Sequence, residues 1–526
     1  MKTPALMILG TSSHVGKSLL TAAFCRIFSQ AGYRVSPFKA QNMSLNSAAT
    51  PEGLEIGRAQ ALQAEAAGIP ASVHMNPVLL KPSSNTASQV IVRGKIFAQL
   101  TAEDYFRQHT EELVPVIQES YELLAAQSDL MLLEGAGSPA EINLKDRDIV
   151  NLRMAQMAGA RCVLVGDIDR GGVFASLLGT LELLEPAEQN LIEGFIINRF
   201  RGDLNLLLPG ITTIEQRMGK PCMGIVPFIE DLRLDEEDSV SIETMGSAPW
   251  QARTSANGLL RIAIMRFPFI SNFTDFDPLF AEPSVNARFC RTAEEMNGAD
   301  VVILPGSKQT VADLRWMRAT GLAELIRLHA ENRPVVGICG GMQMLGKQIN
   351  DPWSVEGACA ESGLGLLSLQ TMMGREKTTR EVIGEAIAHG IFGQTLSHSA
   401  VRGYEIHIGE TQYLDQASPF ARIFRAGDSA PVLDGCVSHN GRVLGTYLHG
   451  IFHDDAFRHV FLSAVRSACG LPPATTFLNW KQLRASEFDR LAGTVAKAVD
   501  VRRLLECVGL PWPLPHAKEG TCAAKH

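Results

Sequence analysis

The sequence predicts an α/β protein with an N-terminal doubly wound domain, built around a parallel sheet, and a C-terminal α/β domain. Short apolar runs alternate with longer amphipathic segments in both halves of the chain, and a polar stretch interrupts this alternation near the middle. The length of 526 residues also exceeds what one hydrophobic core usually supports. With 46% hydrophobic and 20% charged residues, the composition is that of a globular protein and excludes a disordered or collagen-like chain.

The first half contains five candidates for buried strands. Each is a run of three or four apolar residues bounded by polar residues, Gly or Pro, which is typical of strands covered on both faces. An amphipathic helix is predicted between the first two, with apolar positions from Leu19 to Phe28 and Gly32 as a C-cap. The strand candidates are Leu6–Leu9, Leu130–Leu133, Cys162–Val165, Phe195–Ile197 and Gly224–Val226.

The polar stretch 236–258 is predicted to be a linker between domains at 1–235 and 259–465. Residues 466–526 are expected to form a C-terminal helical extension and a tail. The second domain has its own series of strand candidates, which are Leu260–Met265, Val301–Leu304, Pro334–Ile338 and Val443–Tyr447.

Charge and cysteine usage exclude several classes of protein. The 48 Lys and Arg against 56 Asp and Glu give a net charge of −8, so no nucleic-acid partner is expected. The ten cysteines form no C-x-x-C pair, which indicates a reduced, cytoplasmic protein without a disulfide framework or zinc ribbon. No apolar run approaches the ~18 residues of a membrane span, and the N-terminal apolar run is interpreted as a strand, not a signal peptide.

The segment Gly10–Ser18 has the composition and position of a phosphate-binding loop, since it follows a strand and opens a helix. Its backbone N–H groups would surround phosphate oxygens, Lys17 would reach the β- and γ-phosphates, and the Ser18 hydroxyl would ligate Mg²⁺. Five residues, not the usual four, separate the two glycines, so Thr11 takes the first glycine position. The predicted nucleotide-binding residues of this loop are Gly10, Thr11, Val15, Gly16, Lys17 and Ser18.

The longer spacing resembles the dethiobiotin synthetase-like branch of P-loop proteins, whose members use ATP to activate a carboxyl-type group. The resemblance implies that Lys39 lies near the reacting phosphate and that Glu55 is an acid on the metal side. Glu134 ends a buried strand, where a Mg²⁺ ligand is expected. The predicted metal ligands are therefore Ser18, Glu134 and Glu55, and Asp167 and Asp169 rank below them.

In the second half, Gly337–Leu345 contains G-x-C-x-G, the thiol version of a nucleophile elbow. The turn exposes Cys339 at a helix N-terminus, which favours the thiolate, and the Gly340 N–H is placed to stabilise an oxyanion. His449 ends a strand of the same predicted sheet and is the candidate base. A glutamate two residues later would stand at Ile451, so either another residue orients the imidazole or the site is a dyad.

These residues resemble the class I, triad-type glutamine amidotransferase domain: Cys339 in G-I-C-G-G-M-Q-M-L and His449 in Y-L-H-G-I-F. The missing glutamate and the stretch Gly403–Gly409 make the chain similar to the cobyrinate-amidating family. The resemblance implies that Gly306 or Ser307 joins Gly340 in holding the oxyanion and that Gln343 contacts glutamine. It extends over nearly the whole chain through Pro37–Ser44, Asn76–Pro82, Glu134–Asn143 and Gly166–Gly172.

The family resemblance implies ATP- and glutamine-dependent amidation of the b, d, e and g carboxylates of adenosylcobyrinic acid a,c-diamide, with Mg²⁺ on the nucleotide. Glutamine is the ammonia donor, and the corrinoid is a small-molecule partner. Because a net charge of −8 repels a polycarboxylate, we expect a local basic pocket near Lys17 and Lys39. A homo-oligomer is left open.

Three alternatives stand beside this interpretation. The nearest is amidation of the a and c carboxylates of cobyrinic acid by the same chemistry. A nucleotide-switched interaction ATPase of the ParA/MinD type shares the N-terminal half but would not carry the fused G-x-C-x-G domain. A non-catalytic amidotransferase relic is disfavoured because Cys339 and His449 are both intact.

Overall fold

The described residues of the computed structural model fall into two units. The first takes its residues from Met1–Ser44, Ile56–Leu234 and Arg484–His526, and the second from Leu45–Glu55 and Asp235–Leu483. The described parts of the chain are 2–82, 87–105, 109–235, 250, 258–357, 360–394, 396 and 398–512.

The grouping differs from the predicted division at two places. Residues 45–55 lie in the second unit although the chain on both sides of them lies in the first, and the chain from Arg484 onward returns to the first unit. The predicted linker 236–258 lies outside the described residues except for Trp250 and Gly258, as does the tail from residue 513.

A six-stranded parallel sheet forms the centre of the first unit and contains all five predicted strand runs. Its central strands are buried on both faces, as the uninterrupted apolar runs predict. Val35–Phe38 is an edge strand, where Pro37 is tolerated because fewer backbone N–H groups are needed there. The strands in spatial order are Cys222–Pro227, Ile192–Phe200, Arg161–Asp167, Ala5–Gly10, Leu130–Glu134 and Val35–Phe38.

Helices cover this sheet. Phe24 and Phe28 on the first helix pack in one core with Phe488 and Leu491 of the helix Trp480–Ala498. The predicted first helix ends at Gln30, and Gly32 has the left-handed φ of 96°. The α-helices of the first unit are Lys17–Gln30, Arg58–Ala67, Ala102–Asp104, Thr110–Ala125, Leu152–Ala158, Val173–Glu182, Pro186–Gln189, Leu204–Met218, Trp480–Ala498 from Arg484 onward, and Val501–Cys507.

A four-stranded mixed sheet follows Lys39 directly in the first unit. Its strand Gln41–Met43 pairs in parallel with Val78–Pro82, and the remaining pairs are antiparallel. Its strands in order are Gln41–Met43, Val78–Pro82, Ala87–Val92 and Lys95–Thr101.

The second unit is built on another six-stranded sheet, which contains the four strand runs predicted for this half. Five strands are parallel, and the last pairs antiparallel at the edge. The strands in order are Val285–Cys290, Leu260–Met265, Val301–Leu304, Val335–Ile338, Val443–Thr446 and Cys436–Val437. The helices of this unit are Asp277–Ala281, Ala293–Met296, Thr310–Ala319, Leu322–Asn332, Gly340–Leu345 and Asp455–Ala468.

Two further four-stranded sheets, which the apolar runs did not indicate, complete the second unit. One of them carries Ala400–His407, and its residue Tyr404 exchanges two backbone hydrogen bonds with His449. The first sheet has the order Ala360–Ser362, Gln348–Asn350, Leu369–Met372, Glu410–Tyr413, and the second has the order Ala400–His407, Thr378–Ala386, Ala421–Arg425, Val432–Asp434.

The two sheets of mainly parallel strands confirm the predicted α/β fold class. Within the part of the chain that the structure describes, no helix has both the length and the apolar character to cross a membrane.

Candidate active sites

The nucleophile elbow lies between the strand Val335–Ile338 and the helix Gly340–Leu345. Cys339 has φ 50° and ψ −110°, a conformation that costs energy for a residue with a Cβ. Its N–H donates to the Thr446 carbonyl at 2.8 Å, and its thiol lies 3.5 Å from the Ile406 carbonyl oxygen. The strained turn therefore fixes the thiol at the carboxyl edge of the sheet, as the G-x-C-x-G pattern predicts. The expected exposure is wrong, because Cys339 is buried beneath the residues that face it.

The predicted oxyanion residues meet beside this turn. A Cβ built at Gly340 would lie 2.9 Å from the Ser307 nitrogen, and one built at Gly306 would lie 3.0 Å from Cε1 of His449. The Ser271 N–H donates to the Gly306 carbonyl at 2.9 Å and holds the facing loop. The close backbone approach brings the peptide groups of Gly340 and Ser307 together, which an oxyanion hole requires.

His449 has a carboxylate partner that the sequence left open. Its Nδ1 lies 2.6 Å from Oδ2 of Asp275, and the Gly450 N–H donates to Oδ1 of the same carboxylate at 3.0 Å. Asp275 belongs to the short helix Phe273–Phe276 and is buried. Because Nδ1 is held by Asp275, Nε2 is the ring nitrogen available to the thiol of Cys339.

The protonation of His449 depends on its two neighbours. Burial lowers the pKa of the imidazole, but the charge of Asp275, the neighbouring Cys339 and hydrogen bonds to both raise the pKa to about 10. The imidazolium is thus the favoured form at neutral pH, which suits a thiolate–imidazolium pair. Cys339, His449 and Asp275 form a catalytic triad in geometry.

The stretch Gly403–Gly409 lines this triad. The Tyr404 ring stacks on His449 with a centroid distance of 5.5 Å, and Ile406 supplies the carbonyl that faces the thiol. His407 Nδ1 lies 2.8 Å from the Gly409 carbonyl, and the ring stacks on Tyr447 at 3.8 Å. This motif therefore forms one wall of the site.

Gln343, predicted to contact glutamine, is buried and oriented by two neighbours. Its Oε1 accepts a hydrogen bond from Thr310 Oγ1 at 3.3 Å, and its Nε2 donates to the Tyr447 hydroxyl at 3.2 Å. The amide has a fixed direction in this unit, but its contact with a substrate stays a prediction.

In the first unit the phosphate loop wraps around Lys17. Gly16 has a left-handed φ of 93°, and the helix begins at the next residue. The Lys17 ammonium donates to the carbonyls of Ser12 at 2.9 Å and Gly137 at 3.0 Å. Asn198, which the sequence did not single out, donates through Nδ2 to the Val15 carbonyl at 2.8 Å and braces the loop.

Glu134 is the hub of the first unit's site. Its Oε1 accepts hydrogen bonds from Ser18 Oγ at 2.9 Å and from the Lys39 ammonium at 2.8 Å, and its Oε2 accepts from Gln63 Nε2 at 2.5 Å. The Lys39–Glu134 pair is almost completely buried, with side chains 5% and 1% exposed. Two predicted residues, Ser18 and Lys39, thus donate to the carboxylate of a third, Glu134.

The other acids predicted as metal ligands have ion-pair or hydrogen-bond partners of their own. Glu55 belongs to the second unit, where it forms a buried ion pair with Lys377 at 2.5 Å. Asp167 pairs with Arg199 at 3.0 Å and accepts the Asp169 N–H at 2.9 Å. Ser18 and Glu134 are therefore the predicted metal ligands that the structure brings together, and the assignment of Glu55 stays a prediction.

Comparison with known proteins agrees with both geometries. Residues 6–242 match the CobQ/CobB/MinD/ParA nucleotide binding domain, and residues 261–457 match the CobB/CobQ-like glutamine amidotransferase domain. The chain is 48% identical over 507 residues to the cobyric acid synthase of Thermoanaerobacter sp. (strain X514), covering 95% of this chain and 98% of that one. The protein belongs to the cobyric acid synthase family.

A second cobyric acid synthase agrees with the family assignment. The cobyric acid synthase of Moorella thermoacetica is 47% identical over 512 residues, covering 97% of this chain and 98% of that one. Among solved structures, the MinD cell division protein of Aquifex aeolicus is 15% identical and covers 44% of this chain and 84% of its own, with a TM-score of 0.25.

Family membership confirms the enzyme class expected from the sequence. A member of the cobyric acid synthase family with an amidotransferase domain and a nucleotide-binding domain is a glutamine-hydrolysing carbon–nitrogen ligase of cobalamin biosynthesis. The family name also favours this class over a nucleotide-switched interaction ATPase.

Three residues of these two sites were not predicted from the sequence. Asp275 lies far upstream of His449. The sequence indicated only that a carboxylate was missing near the base, because Ile451 cannot orient an imidazole. Gln63 is fully buried on an alanine-rich helix and therefore needs a polar partner, but its burial is known only from the fold. Asn198 lies within the strand Ile192–Phe200, beyond its apolar run, and gave no pattern of its own.

Proposed function

We propose that this protein uses ATP and glutamine to amidate the b, d, e and g carboxylates of adenosylcobyrinic acid a,c-diamide. One observation carries the proposal: a single chain holds both a cysteine triad and a phosphate-loop site. The triad is Cys339–His449–Asp275. In the phosphate-loop site, Ser18 of the loop and Lys39 both donate hydrogen bonds to Glu134. A cysteine triad releases ammonia from an amide, and a phosphate loop activates a carboxylate with ATP. The combination is needed because neither a carboxylate nor glutamine reacts readily without activation.

Glutamine hydrolysis begins at Cys339. Its sulfur attacks the side-chain amide carbon of glutamine, and the proton of the Cys339–His449 pair is held on His449. Peptide N–H groups of Gly340 and of Gly306 or Ser307 stabilise the oxyanion. His449 then protonates the leaving nitrogen, ammonia departs, and water hydrolyses the γ-glutamyl thioester to glutamate and the free thiol.

Asp275 acts through the imidazole. Its carboxylate accepts a hydrogen bond from Nδ1–H, so the ring keeps the orientation that directs Nε2 toward Cys339, and its charge stabilises the imidazolium. The hydrogen bond from the Gly450 N–H fixes the carboxylate itself.

Carboxylate activation belongs to the first unit. A corrinoid carboxylate oxygen attacks the γ-phosphorus of ATP, ADP leaves, and an acyl phosphate forms. Ammonia then attacks the acyl carbon, and phosphate departs as the amide forms. Lys17 and Lys39 compensate the negative charge that accumulates on the transferred group.

Mg²⁺ fits the oxygen donors of this site. The Ser18 hydroxyl and the Glu134 carboxylate lie 2.9 Å apart, and Mg²⁺ in nucleotide sites takes its other ligands from phosphates and waters. No group of three His, Cys, Asp or Glu residues that would form a separate metal cage occurs among the described residues. When bound, the ion neutralises phosphate charge, and Ser18 and Glu134 would hold it.

Product analysis tests the proposed substrate. The protein is incubated with ATP, Mg²⁺ and glutamine and with either adenosylcobyrinic acid a,c-diamide or cobyrinic acid, and the amides gained are counted by mass spectrometry. Four amides on the a,c-diamide are expected. Two amides added only to cobyrinic acid, at a and c, would contradict the proposal and support the nearest alternative.

A reduced, cytoplasmic location is part of the same proposal. The eight cysteines within the described residues are all free thiols, which agrees with a reducing compartment. Four of these cysteines are completely buried. Burial raises the pKa of the Cys25 and Cys162 thiols, so these two remain neutral.

A further inference from the structure

Residues 45–55 connect the chain of the first site to the second unit. The segment follows the strand Gln41–Met43, which comes directly after Lys39 and Ala40, and it leads into the helix Arg58–Ala67 that carries Gln63. Both of its ends are therefore covalently continuous with elements that hold residues around Glu134.

The segment is held within the second unit by specific contacts. Glu55 pairs with Lys377, and the Gly53 carbonyl accepts a hydrogen bond from Arg380 Nη1 at 3.3 Å. The Ser47 N–H donates to Oδ1 of Asn272 at 3.1 Å, and Asn272 stands three residues before the triad aspartate. Buried ion pairs and hydrogen bonds of this kind define one position for a segment, because alternatives leave charges unpaired.

Tyr404 lies between this segment and the triad. Its hydroxyl oxygen is 3.4 Å from the Ser47 carbonyl and 3.4 Å from Oδ1 of Asp275, and its ring stacks on His449. One side chain thus contacts the segment, the triad carboxylate and the triad base.

The two hydroxyl contacts compete. A tyrosine hydroxyl has one proton, so it donates fully to only one acceptor at a time, and both distances are at the long end of the hydrogen-bond range. A shift of a few tenths of an ångström in Ser47 therefore decides which acceptor receives the proton. Donation to Asp275 draws negative charge away from His449, whereas donation to Ser47 leaves that charge to the imidazole.

We propose that Tyr404 is a positioning residue that transmits the state of segment 45–55 to the triad, so that ATP and corrinoid binding accelerates glutamine hydrolysis. The inference rests on the proposed function, because it requires glutamine hydrolysis and an ATP-activated acceptor in one protein. It assigns to one hydroxyl group the task of limiting ammonia release when no acceptor is present.

The test compares glutamine hydrolysis in the full chain with and without ATP, Mg²⁺ and adenosylcobyrinic acid a,c-diamide. The wild type is expected to gain about tenfold in kcat, the size associated with one hydrogen bond to a charged group, with a similar KM for glutamine. Tyr404→Phe keeps the stacked ring and removes the proton, and it is expected to bring this ratio close to one.

Two further variants distinguish a specific loss of the stimulation by ATP and corrinoid from a general structural effect of substitution. Asn272→Gly retains the left-handed backbone, since Asn272 has φ 53°, but removes the acceptor of the Ser47 N–H, and a reduced ratio is expected. Tyr121→Phe is the matched control, because the buried Tyr121 hydroxyl has no hydrogen-bond partner among the described residues, and it is expected to keep the wild-type ratio.

A wild-type ratio in Tyr404→Phe overturns the inference, as does a wild type that forms corrinoid amides from glutamine without any stimulation of hydrolysis. Both results leave the proposed function intact. A wild type that forms no corrinoid amide from either glutamine or ammonium overturns the proposed function instead. If Tyr404→Phe does not fold, the ratio in Asn272→Gly decides.

Discussion

At the scale of single residues, the triad obtains its carboxylate from the short helix Phe273–Phe276, not from the segment that follows the base. Asp275 and His449 are both buried, with side chains 3% and 1% exposed, so their charges are costly unless they stay paired. The paired arrangement is stabilised further by the Gly450 N–H. An aspartate 174 residues from its histidine therefore serves the role that a nearby glutamate would otherwise fill.

Replacing that carboxylate tests its role. Asp275→Asn is expected to lower the kcat of glutamine hydrolysis by ~10²–10⁴, because the amide does not hold the imidazole in the productive tautomer. Amidation driven by ammonium should keep its rate, since ammonium bypasses the triad. Loss of ammonium-driven amidation in a folded Asp275→Asn protein would contradict the assignment.

The same variant has a predicted pH signature. In the wild type, burial lowers the pKa of His449 but Asp275 and Cys339 raise it to about 10, so the imidazolium persists well above neutral pH. Without the Asp275 charge the pKa falls, and the alkaline limb of kcat/KM for glutamine should move to lower pH. An alkaline limb at the wild-type position would show that Asp275 does not set this pKa.

In the first unit, Glu134→Gln is expected to reduce ATP-dependent amidation by at least ~10²-fold with either nitrogen source, because it removes the carboxylate shared by Ser18 and Lys39. Basal glutamine hydrolysis should remain within about twofold, since the triad residues belong to the second unit. Glu119→Gln, at an exposed position, is the control. Equal losses in the two variants would remove Glu134 from the site.

Single residues differed in how far the sequence revealed them. Cys339 and Lys17 stand in short motifs whose spacing follows from backbone geometry, so they were predictable. Asp275 reaches the site through the fold, and nothing in its neighbouring residues requires it. Tyr404 stands in the predicted stretch Gly403–Gly409, but its contact with the triad carboxylate depends on the fold. A triad member supplied by a distant element becomes visible only when the chain is folded.

At the scale of elements, the central strands were the most predictable. Strands buried on both faces need continuous apolar residues, and runs such as Leu130–Leu133 and Val301–Leu304 lie in the two large sheets. The smaller sheets were not predicted because their strands are short and alternate buried with exposed residues, as in Lys95–Thr101 and Glu410–Tyr413.

The unit to which the helix Trp480–Ala498 belongs could not be predicted from its position in the sequence. It was expected in a C-terminal extension, but from Arg484 onward it packs in the core of the first unit. Arg484 pairs with Glu65 at 2.7 Å, and Leu491 is 2% exposed. The helix is therefore an integral part of the nucleotide-binding unit.

A stability measurement tests this packing. Leu491→Ala is expected to lower the free energy of unfolding of the first unit by about 2–5 kcal/mol, because it leaves a cavity in the core. Leu206→Ala, at a position 83% exposed, should change it by less than ~0.5 kcal/mol. Equal thermal unfolding of the two variants would contradict the placement of the helix.

At the scale of the whole molecule, composition and charge excluded several classes of protein but did not identify the function. Lys17 and Lys39 both lie in the first unit, where Lys17 donates to the Gly137 carbonyl and Lys39 pairs with Glu134, and the basic pocket expected around them stays a prediction. The division into units was less predictable, because residues 45–55 and the chain after Arg484 join units through long-range contacts that have no local sequence signal.

We propose that one chain divides the reaction between a triad that releases ammonia and a phosphate-loop site that consumes it. The Cys339→Ala variant tests this division when it is assayed for corrinoid amides with ATP and either glutamine or ammonium as the nitrogen source. We expect no amide from glutamine and a wild-type yield of amide from ammonium. A folded Cys339→Ala protein that ammonium does not rescue, or that still uses glutamine, would contradict this division.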